Sequence, residues 1–447
     1  MISIIIFTIL LLVGFGFFGL NIFRIIKNIK LGKDINRSDR KIDRFKTMLL
    51  VALGQKKMFQ RFVPAIFHLF IYLAFLITTV ELLEIIVDGL FSEHRYFYLS
   101  LGWFYVLVVS VIEVLSVLAL IATIIFLARR NLFKIPRFHM NEMTGWPKLD
   151  GNIILYMEIS LIIFIFMMNG ADEVMYNQGL AHISGISGEG SYGLAISSFL
   201  GPLLFNGLPE STLHIIERIG WWGHITMVFA FLNYLAYSKH LHILFAFPNT
   251  FFSNLEKKGR FTNLSNVKKE VEKMFDPNFD PYAAPVGGET PIETDSFGAK
   301  DVTDLTWKNI LDSYTCTECG RCSSACPANQ TGKKLSPRKI MMDVRDRVEQ
   351  VGNNKRKHGA EYDDNKSLLG DYVSEEEIWA CTSCNACVWE CPVNIDPLSV
   401  IIDLRRYLVM EQSKVPSELA SMLTNIENNS APWQFSQADR LKWVEED

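Results

Sequence analysis

Long apolar runs dominate the first 250 residues of the chain, and polar residues dominate the remainder. Five of these runs are long and apolar enough to predict membrane-spanning helices. They cover Ile2–Ile26, Phe62–Val87, Phe97–Leu127, Ile153–Met168 and Ile219–Phe247. A sixth apolar stretch, SYGLAISSFLGPLLFNG, contains glycines and a proline and is interpreted as a re-entrant or surface segment. The pattern therefore predicts an all-α membrane bundle of about five transmembrane helices over residues 1–250.

The pattern changes after residue 250. A Pro- and Gly-rich stretch within residues 251–300 predicts a linker. Beyond it, segments such as LSPRKIMMDVRDRVEQV have helical periodicity and no strand alternation. We therefore predict a mainly α-helical domain over residues 301–447.

Charges between the apolar runs predict how the chain is oriented. The segment Arg24–Arg61 contains twelve Lys or Arg and three Asp, and Arg129–Lys148 contains five more basic residues. The other two loops contribute only Arg95 and Arg218 as basic residues. Because basic loops stay in the cytoplasm, we predict a multi-pass protein of the cell inner (plasma) membrane with its N-terminus outside. The first run has no basic region before it, so it is interpreted as a retained helix rather than a signal peptide.

Composition agrees with a chain that lies partly in membrane lipid. Hydrophobic residues make up 49% of the 447 residues and charged residues 21%. A net charge of −4, with no basic amphipathic stripe, gives no indication of nucleic-acid binding. All eight cysteines lie between Cys316 and Cys391 in ordered repeats, which favours metal binding over disulfides. Such thiolates need a reducing compartment, so this half is expected in the cytoplasm.

The cysteines form two motifs with the same spacing, C-x2-C-x2-C-x3-C-P. In two-cluster ferredoxins, three closely spaced thiolates bind one cubane and the fourth binds the other. Zinc is the alternative, but structural zinc sites pair two cysteines with a distant second pair. We therefore predict two [4Fe-4S] clusters, one held by Cys316, Cys319, Cys322 and Cys391 and the other by Cys381, Cys384, Cys387 and Cys326.

Histidines in or beside the apolar runs are candidate haem ligands, because ionisable groups at membrane depth usually have a partner. His224 and His242 are eighteen residues apart, which is about five turns of a continuous helix. They would then share one face, ~27 Å apart, as axial ligands of two stacked b-type haems would. His68 lies near the cytoplasmic start of the second run, level with His242. His240 points the other way and is interpreted as a headgroup contact or helix cap.

The segments IFHLFIYLAF and GHITMVFAFLNYLAYSKHLHI resemble the membrane cytochrome b (gamma) subunit of respiratory nitrate reductase. This resemblance implies haem ligands at His224 and His242 in the fifth helix and at His68 in the second. The other ligand position of that family in the second helix is Thr78 here. One haem b, between His68 and His242, is therefore expected. A second haem at His224 would need a different partner, for which the candidates are His214, His182 and His94.

The cysteine-bearing half, above all CTSCNACVWECPVNIDPLSVIIDLRR, resembles the iron–sulfur part of heterodisulfide reductase and of the anaerobic glycerol-3-phosphate dehydrogenase iron–sulfur subunit. The fold that this implies is an α-helical ferredoxin domain. Many of those proteins continue into a cysteine-rich domain, whereas no cysteine follows Cys391 here. The terminal chemistry is therefore expected in a separate cytoplasmic partner, a cysteine-rich or flavoprotein oxidoreductase subunit.

These features predict an electron-transfer subunit that links quinone or quinol, through haem b and two [4Fe-4S] clusters, to that partner. A haem-free membrane anchor for a ferredoxin module is the main alternative, and an ion-pumping subunit is a second. Four carboxylates within the apolar runs serve either as proton acceptors for quinol oxidation or as structural groups between helices: Glu81, Glu84, Glu113 and Glu158.

Overall fold

The computed structural model describes residues 1–180, 190–257, 259–277 and 296–445. Helices account for most of these residues, and the described ranges contain no β-strand. The first half contains α1 (Ile2–Ile29), α2 (Lys41–Met48), α3 (Phe62–Phe91), α4 (Tyr96–Leu101), α5 (Trp103–Asn131), α6 (Trp146–Asn177), α7 (Ser197–Phe205), α8 (Glu210–Leu235), α9 (His242–Phe251) and α10 (Ser265–Met274).

The cysteine-bearing half contains α11 (Trp307–Thr315), α12 (Arg321–Ala325), α13 (Pro327–Gln330), α14 (Pro337–His358), α15 (Glu375–Trp379), α16 (Ala386–Glu390), α17 (Pro397–Arg406), α18 (Ser417–Asn429) and α19 (Lys442–Glu445). Side-chain caps begin several of these helices. Thr306 and Asn309 form a capping box at α11, and Ser374 and Glu377 form one at α15. The predicted mainly helical character of this half is therefore confirmed within the described residues.

Within the described residues, four helices are long and apolar enough to cross a membrane, namely α1, α3, α5 and α6. They correspond to the first four predicted runs. Their outer faces expose large apolar side chains, including Leu12, Leu83 and Ile124, which is expected of surfaces that contact lipid. Helix α6 is longer than the predicted run because the polar residues at its end, Asn169 and Asp172, are buried and hydrogen-bonded to Arg95.

The fifth predicted run is not one continuous helix. A 3-10 turn at Lys239–Leu241 separates α8 from α9. The Ser238 side chain accepts the backbone N–H of His240, and the Asp150 carboxylate accepts that of Lys239 at 3.2 Å. These local polar contacts offer the backbone an alternative to continuing the helix. Because His224 lies on α8 and His242 begins α9, the prediction that both share one helix face is wrong.

Close backbone contacts hold the bundle together around α6. A Cβ at Gly220 of α8 would lie 2.6 Å from the backbone nitrogen of Met168, and one at Gly201 of α7 would lie 2.4 Å from the carbonyl oxygen of Gly170. Small residues of this kind let membrane helices approach closely. The sixth apolar stretch therefore contains a helix, α7, that packs on α6 through Gly201 and leaves Phe199 and Leu203 exposed.

One hydrophobic core joins the cysteine-bearing helices to the ends of the membrane helices. It includes Ile340 and Val400 of the second half together with Ile25 of α1 and Phe245 of α9. Asn28 of α1 also donates a 2.9 Å hydrogen bond to Tyr314 of α11. The two halves are therefore packed against each other, in addition to being connected by the predicted linker, of which residues 278–295 lie outside the described ranges.

Gly32 lies where the chain leaving α1 crosses the start of α11, and it provides a test of this packing. An added Cβ would be 2.7 Å from Trp307 N and 2.8 Å from the carbonyl carbon of Thr306. Because neither backbone atom can move aside like a side chain, we expect Gly32→Ala to lower the free energy of unfolding by about 1–3 kcal/mol. Denaturant unfolding of the detergent-purified protein measures this. Gly19→Ala is the matched control, since nothing lies within 4 Å of its added Cβ; equal losses in both variants would contradict the packing.

Candidate redox sites

The two cysteine motifs follow the same backbone course. In each, the residue before the second cysteine and the residue after it have positive φ angles. These are Glu318 (52°) and Gly320 (70°) in the first motif, and Ser383 (56°) and Asn385 (62°) in the second. A short helix follows each loop, and these two helices, α12 and α16, pack against each other. Left-handed residues curl each loop tightly, so the first three cysteines of a motif can face one centre.

The eight thiols lie in two groups of four. Cys322 interacts electrostatically with Cys316, Cys319 and Cys391, which together with it are called the proximal set, and also with Cys387 of the second motif. The distal set lines one small cavity and consists of Cys326, Cys381, Cys384 and Cys387. These are the predicted ligand sets, each with its fourth cysteine from the other motif, and the assignment of each set to one cluster stays a prediction.

The donor set of each group fits an iron–sulfur cluster. All eight cysteines are free thiols. Burial raises the pKa of the Cys316 thiol to about 12 and that of Cys391 to about 11. Thiolates can share such a site only if a nearby positive charge stabilises them, and cluster iron supplies that charge. Four sulfur donors in each set, without histidine, match the ligands of a [4Fe-4S] cluster.

The segment Gln55–Arg61 lies just before α3 in the connection from α1, and it contacts the cysteine loops directly. Lys57 donates to the carbonyl oxygen of Cys391 at 3.2 Å, and Arg61 pairs with Glu390 at 3.1 Å. From the other side, buried Arg321 donates to the carbonyl oxygen of Lys57 at 3.1 Å. The cysteine loops are therefore hydrogen-bonded to the membrane half.

A buried charge cluster makes a second connection. Glu318, between the first two cysteines, forms ion pairs with Lys239 of the turn before α9 and, at 2.8 Å, with Arg345 of α14. Burial alone would raise the pKa of Glu318, but Arg345 and Lys239 hold it below its ordinary value. Lys239 also lies 3.6 Å from Asp150 of α6. This network was not predicted, because its members are far apart in the sequence.

Three histidines meet on the membrane side of the proximal set. His68 of α3 interacts electrostatically with His242 at the start of α9, and the ring centroids of His240 and His242 are 5.6 Å apart. His68 Nδ1 donates to Gln55 Oε1 at 3.2 Å, and His242 Nδ1 donates to the Lys239 carbonyl oxygen at 3.0 Å. Donation from Nδ1 fixes the tautomer in which Nε2 carries the lone pair for an axial ligand.

The interpretation of His240 as a headgroup contact or helix cap is wrong. Its Nδ1 is buried and has no hydrogen-bond partner within the described residues. The 3-10 turn brings its ring beside that of His242, whereas a continuous helix would have placed the two on different faces.

His224 lies apart from this trio, in an apolar cavity of about 280 Å³ between α3, α5, α6 and α8. Its Nδ1 donates to the carbonyl oxygen of Leu161 at 3.3 Å. Thr78 and Glu158 line the same cavity, and so does Ile243, the neighbour of His242. The cavity therefore runs from His224 towards the histidine trio.

A second cavity, of about 320 Å³, lies at the other end of the bundle. It contains His94, whose Nε2 is 3.1 Å from Asp172, and Asp172 also pairs with Arg95 at 2.7 Å. Glu217, Trp221 and Trp222 complete much of the wall. Of the candidate partners for His224, His94 and His214 line this second cavity rather than the first, and His182 lies outside the described residues.

The four predicted membrane carboxylates differ in their surroundings. Glu113 accepts the backbone N–H groups of Ile196 (2.8 Å) and Ser197 (3.1 Å) at the start of α7, which favours a structural role. Glu84 accepts from the Tyr105 hydroxyl at 2.7 Å. Glu158 accepts from Thr123 at 3.1 Å, and Glu81 is buried. Sequence reasoning missed Asp172 and Glu217, which stand at the ends of the apolar runs.

Several known proteins are similar to this chain in sequence. Residues 312–395 match a 4Fe-4S dicluster domain. The chain is 27% identical to the probable iron-sulfur-binding oxidoreductase FadF of Bacillus subtilis and 26% identical to the EtfAB:quinone oxidoreductase of Syntrophomonas wolfei, over 94% and 92% of its own length respectively. These matches cover 57% and 55% of the two relatives, so the chain spans about half their length.

A shorter match supports the predicted resemblance to heterodisulfide reductase. Over 24% of its length, the chain is 33% identical to one subunit of the ferredoxin/F420H2-dependent CoB-CoM heterodisulfide reductase of Methanosarcina acetivorans, covering 52% of that protein. No solved structure gives a significant match. The prediction of a 4Fe-4S dicluster domain joined to helices that are long and apolar enough to cross a membrane is thus confirmed.

Replacing Lys239 tests the buried charge network. In Lys239→Met, Glu318 keeps Arg345 but loses its other cation, so we expect the free energy of unfolding to fall by about 1.5–3 kcal/mol. Thermal or denaturant unfolding measures the loss. Lys334→Met is the control, since Lys334 forms a solvent-exposed pair with Glu376 and surface pairs contribute little. A loss in Lys239→Met no larger than that in the control would refute the role of the network.

Proposed function

We propose that this chain is a membrane-bound electron-transfer subunit that links a quinone pool, through haem b and two [4Fe-4S] clusters, to a cytoplasmic oxidoreductase partner. The observation that carries the proposal is the segment Gln55–Arg61. Gln55 accepts the hydrogen bond of His68, and two residues later Lys57 donates to the carbonyl oxygen of Cys391. One short stretch of chain thus contacts both a candidate haem ligand and a candidate cluster ligand.

The histidine pair would hold the haem. His68 and His242 come from different helices, and each has its Nδ1 anchored on an oxygen of the cytoplasmic side, the outer-shell arrangement typical of iron-ligating histidines. The adjoining apolar cavity supplies the dry surroundings that a porphyrin needs. His224 is the candidate ligand for a second haem, with no partner assigned. When bound, the haem and the clusters would each carry one electron at a time.

Arg321 supports the same route from the cluster side. This buried guanidinium interacts electrostatically with Cys319 and Cys391 and with His68. It is therefore near both the proximal set and His68. A fixed positive charge there would stabilise added electrons on either side of it, because reduction makes a site more negative.

The quinone head group would fit the second cavity. Trp221 and Trp222 offer aromatic surfaces, and the His94–Asp172 pair offers a proton acceptor for a quinol hydroxyl. Asp172 is held by Arg95, so it can orient His94 and stabilise its charged form. One relative carries quinone in its name, which supports this assignment. With the N-terminus outside, as the basic loops predict, this cavity would face the outer side of the membrane.

The distal set would face the partner. Cys384 is exposed, whereas every member of the proximal set is buried or half-buried. An exposed ligand loop gives a soluble protein a close approach for electron transfer. The partner would be a cysteine-rich or flavoprotein oxidoreductase, in line with the oxidoreductase names of the relatives.

A visible spectrum of the purified, dithionite-reduced protein tests the haem. We expect a b-type α-band that both His68→Ala and His242→Ala abolish, because bis-histidine ligation requires both rings. His139→Ala, at an exposed position on a cytoplasmic loop, should leave the band unchanged. A wild-type protein without the band would instead favour the haem-free membrane anchor.

Paired cysteine variants test the crossed ligand sets. Wild-type protein should contain about nine iron atoms per chain, eight in the clusters and one in haem b, and Cys391→Ser and Cys326→Ser should each disturb one [4Fe-4S] cluster and spare the other. Iron analysis and electron paramagnetic resonance of the reduced protein measure this. The two variants are matched controls, because they should affect different signals. Zinc in place of iron, or loss of the same signal from both variants, would contradict the assignment.

A further inference from the structure

Two buried nitrogen atoms near the histidine pair have no hydrogen-bond partner within the described residues. They are Nδ1 of His240 and Nε of Arg130. Leaving a buried polar atom unsatisfied is unfavourable, so native structures rarely leave two of them together without a reason. The two residues lie close together, because Arg130 and Lys239, the chain neighbour of His240, donate to the same Pro147 carbonyl oxygen.

Several contacts hold the Arg130 guanidinium in place, but none of these contacts is with a carboxylate. An added Cβ on Gly151 would be 2.3 Å from its Nη2 atom, so the guanidinium lies in space that the glycine leaves. The guanidinium carbon lies 5.5 Å from the centroid of the Phe138 ring, and Nη2 donates to the carbonyl oxygen of Pro147 at 3.4 Å. These contacts fix the position of the charge, yet none of them supplies an anion.

The nearby acidic groups are already used by another cation. Lys239 donates to the same Pro147 carbonyl oxygen as Arg130 and pairs with Glu318 and, at 3.6 Å, with Asp150. Glu318 and Asp150 also act electrostatically on Arg130, but among the described residues their ion pairs are with Lys239 and Arg345. The positively charged Arg130 therefore keeps its Nε without a hydrogen-bond partner among the described residues, beside the turn that carries His240.

We infer that Arg130 and His240 form an anion subsite that receives the carboxylate side chains of the porphyrin held between His68 and His242. The inference rests on the proposed haem function. His240 has its ring 5.6 Å from that of His242 and interacts electrostatically with His68, so an acid side chain at the porphyrin edge would be within its reach. A carboxylate there would satisfy both orphaned nitrogen atoms and balance the charge of Arg130.

The buried location favours porphyrin carboxylates over a lipid phosphate. Both nitrogen atoms are inaccessible to solvent, and Arg130 is covered by Gly151 and Phe138. A phospholipid head group would have to leave the membrane surface to reach them, whereas a porphyrin ligated by the adjacent histidines would already be there. The subsite would thus orient the porphyrin with its acidic edge towards the cytoplasm.

The test compares protohaem with protohaem dimethyl ester, in which both carboxylates are blocked. Full-length protein produced under haem starvation is titrated with each porphyrin, and the Soret band gives the dissociation constants. We expect wild-type protein to bind protohaem about ten- to hundredfold more tightly than the diester. Arg130→Met and His240→Phe should each weaken protohaem binding while leaving diester affinity unchanged, which also shows that the variants are folded.

Arg129→Met is the matched control, since it removes the neighbouring positive charge on the same helix, and it should retain the preference for protohaem. Equal binding of the two porphyrins by wild-type protein, or an undiminished preference in both site variants, would overturn the inference and leave the haem proposal intact. Failure of the wild-type protein to bind either porphyrin would instead refute the haem proposal, and the inference with it. If anionic lipid added to the titration removes the preference, the site binds lipid phosphate and the inference is likewise wrong.

Discussion

The hydrogen bonds between the segment Gln55–Arg61 and the cysteine loops are the constraint on which the rest of the arrangement depends. Lys57 and Arg61 donate to the second motif, and Arg321 of the first motif donates to the same segment. All of these contacts involve a charged donor, which makes them stronger than neutral hydrogen bonds. Together with the shared hydrophobic core, these hydrogen bonds fix the cysteine loops against the membrane helices. The packing of the two halves therefore sets the distance between the proximal cysteine set and the histidine pair.

Sequence reasoning predicted the features that local patterns encode. The repeated cysteine spacing led to two predicted sets of four thiols. The four thiols of the distal set line one small cavity, while the ligand assignment stays a prediction. Apolar runs located α1, α3, α5 and α6. Sequence reasoning failed where a contact between residues far apart in the sequence outweighs the local pattern. Asp150 helps to stop the helix before His242 by accepting the N–H of Lys239, and nothing in the run from 219 to 247 indicates that contact.

The same limitation explains why the end of the bundle opposite the cysteines was not predicted. Arg95 is almost fully buried and donates to Asp172, Asn169 and Tyr105. Asn169 and Asp172 lie on α6 and Tyr105 lies on α5, and each would be costly to bury alone. A single arginine in a loop therefore lets α6 continue with polar residues beyond its apolar stretch. The hydropathy pattern predicts that the membrane span ends at those residues. In the structure they are instead buried and hydrogen-bonded to one arginine side chain.

The exposure of Cys384 has a consequence for handling the protein in air. Its thiol is the most open of the eight, while Cys316, Cys326, Cys387 and Cys391 are buried. Oxygen and alkylating reagents would reach the distal loop first, and damage would begin there before it spread to the thiols beneath. The cysteine set that oxidants reach most easily is thus the distal set, which must stay accessible to a partner. A docked partner would protect it.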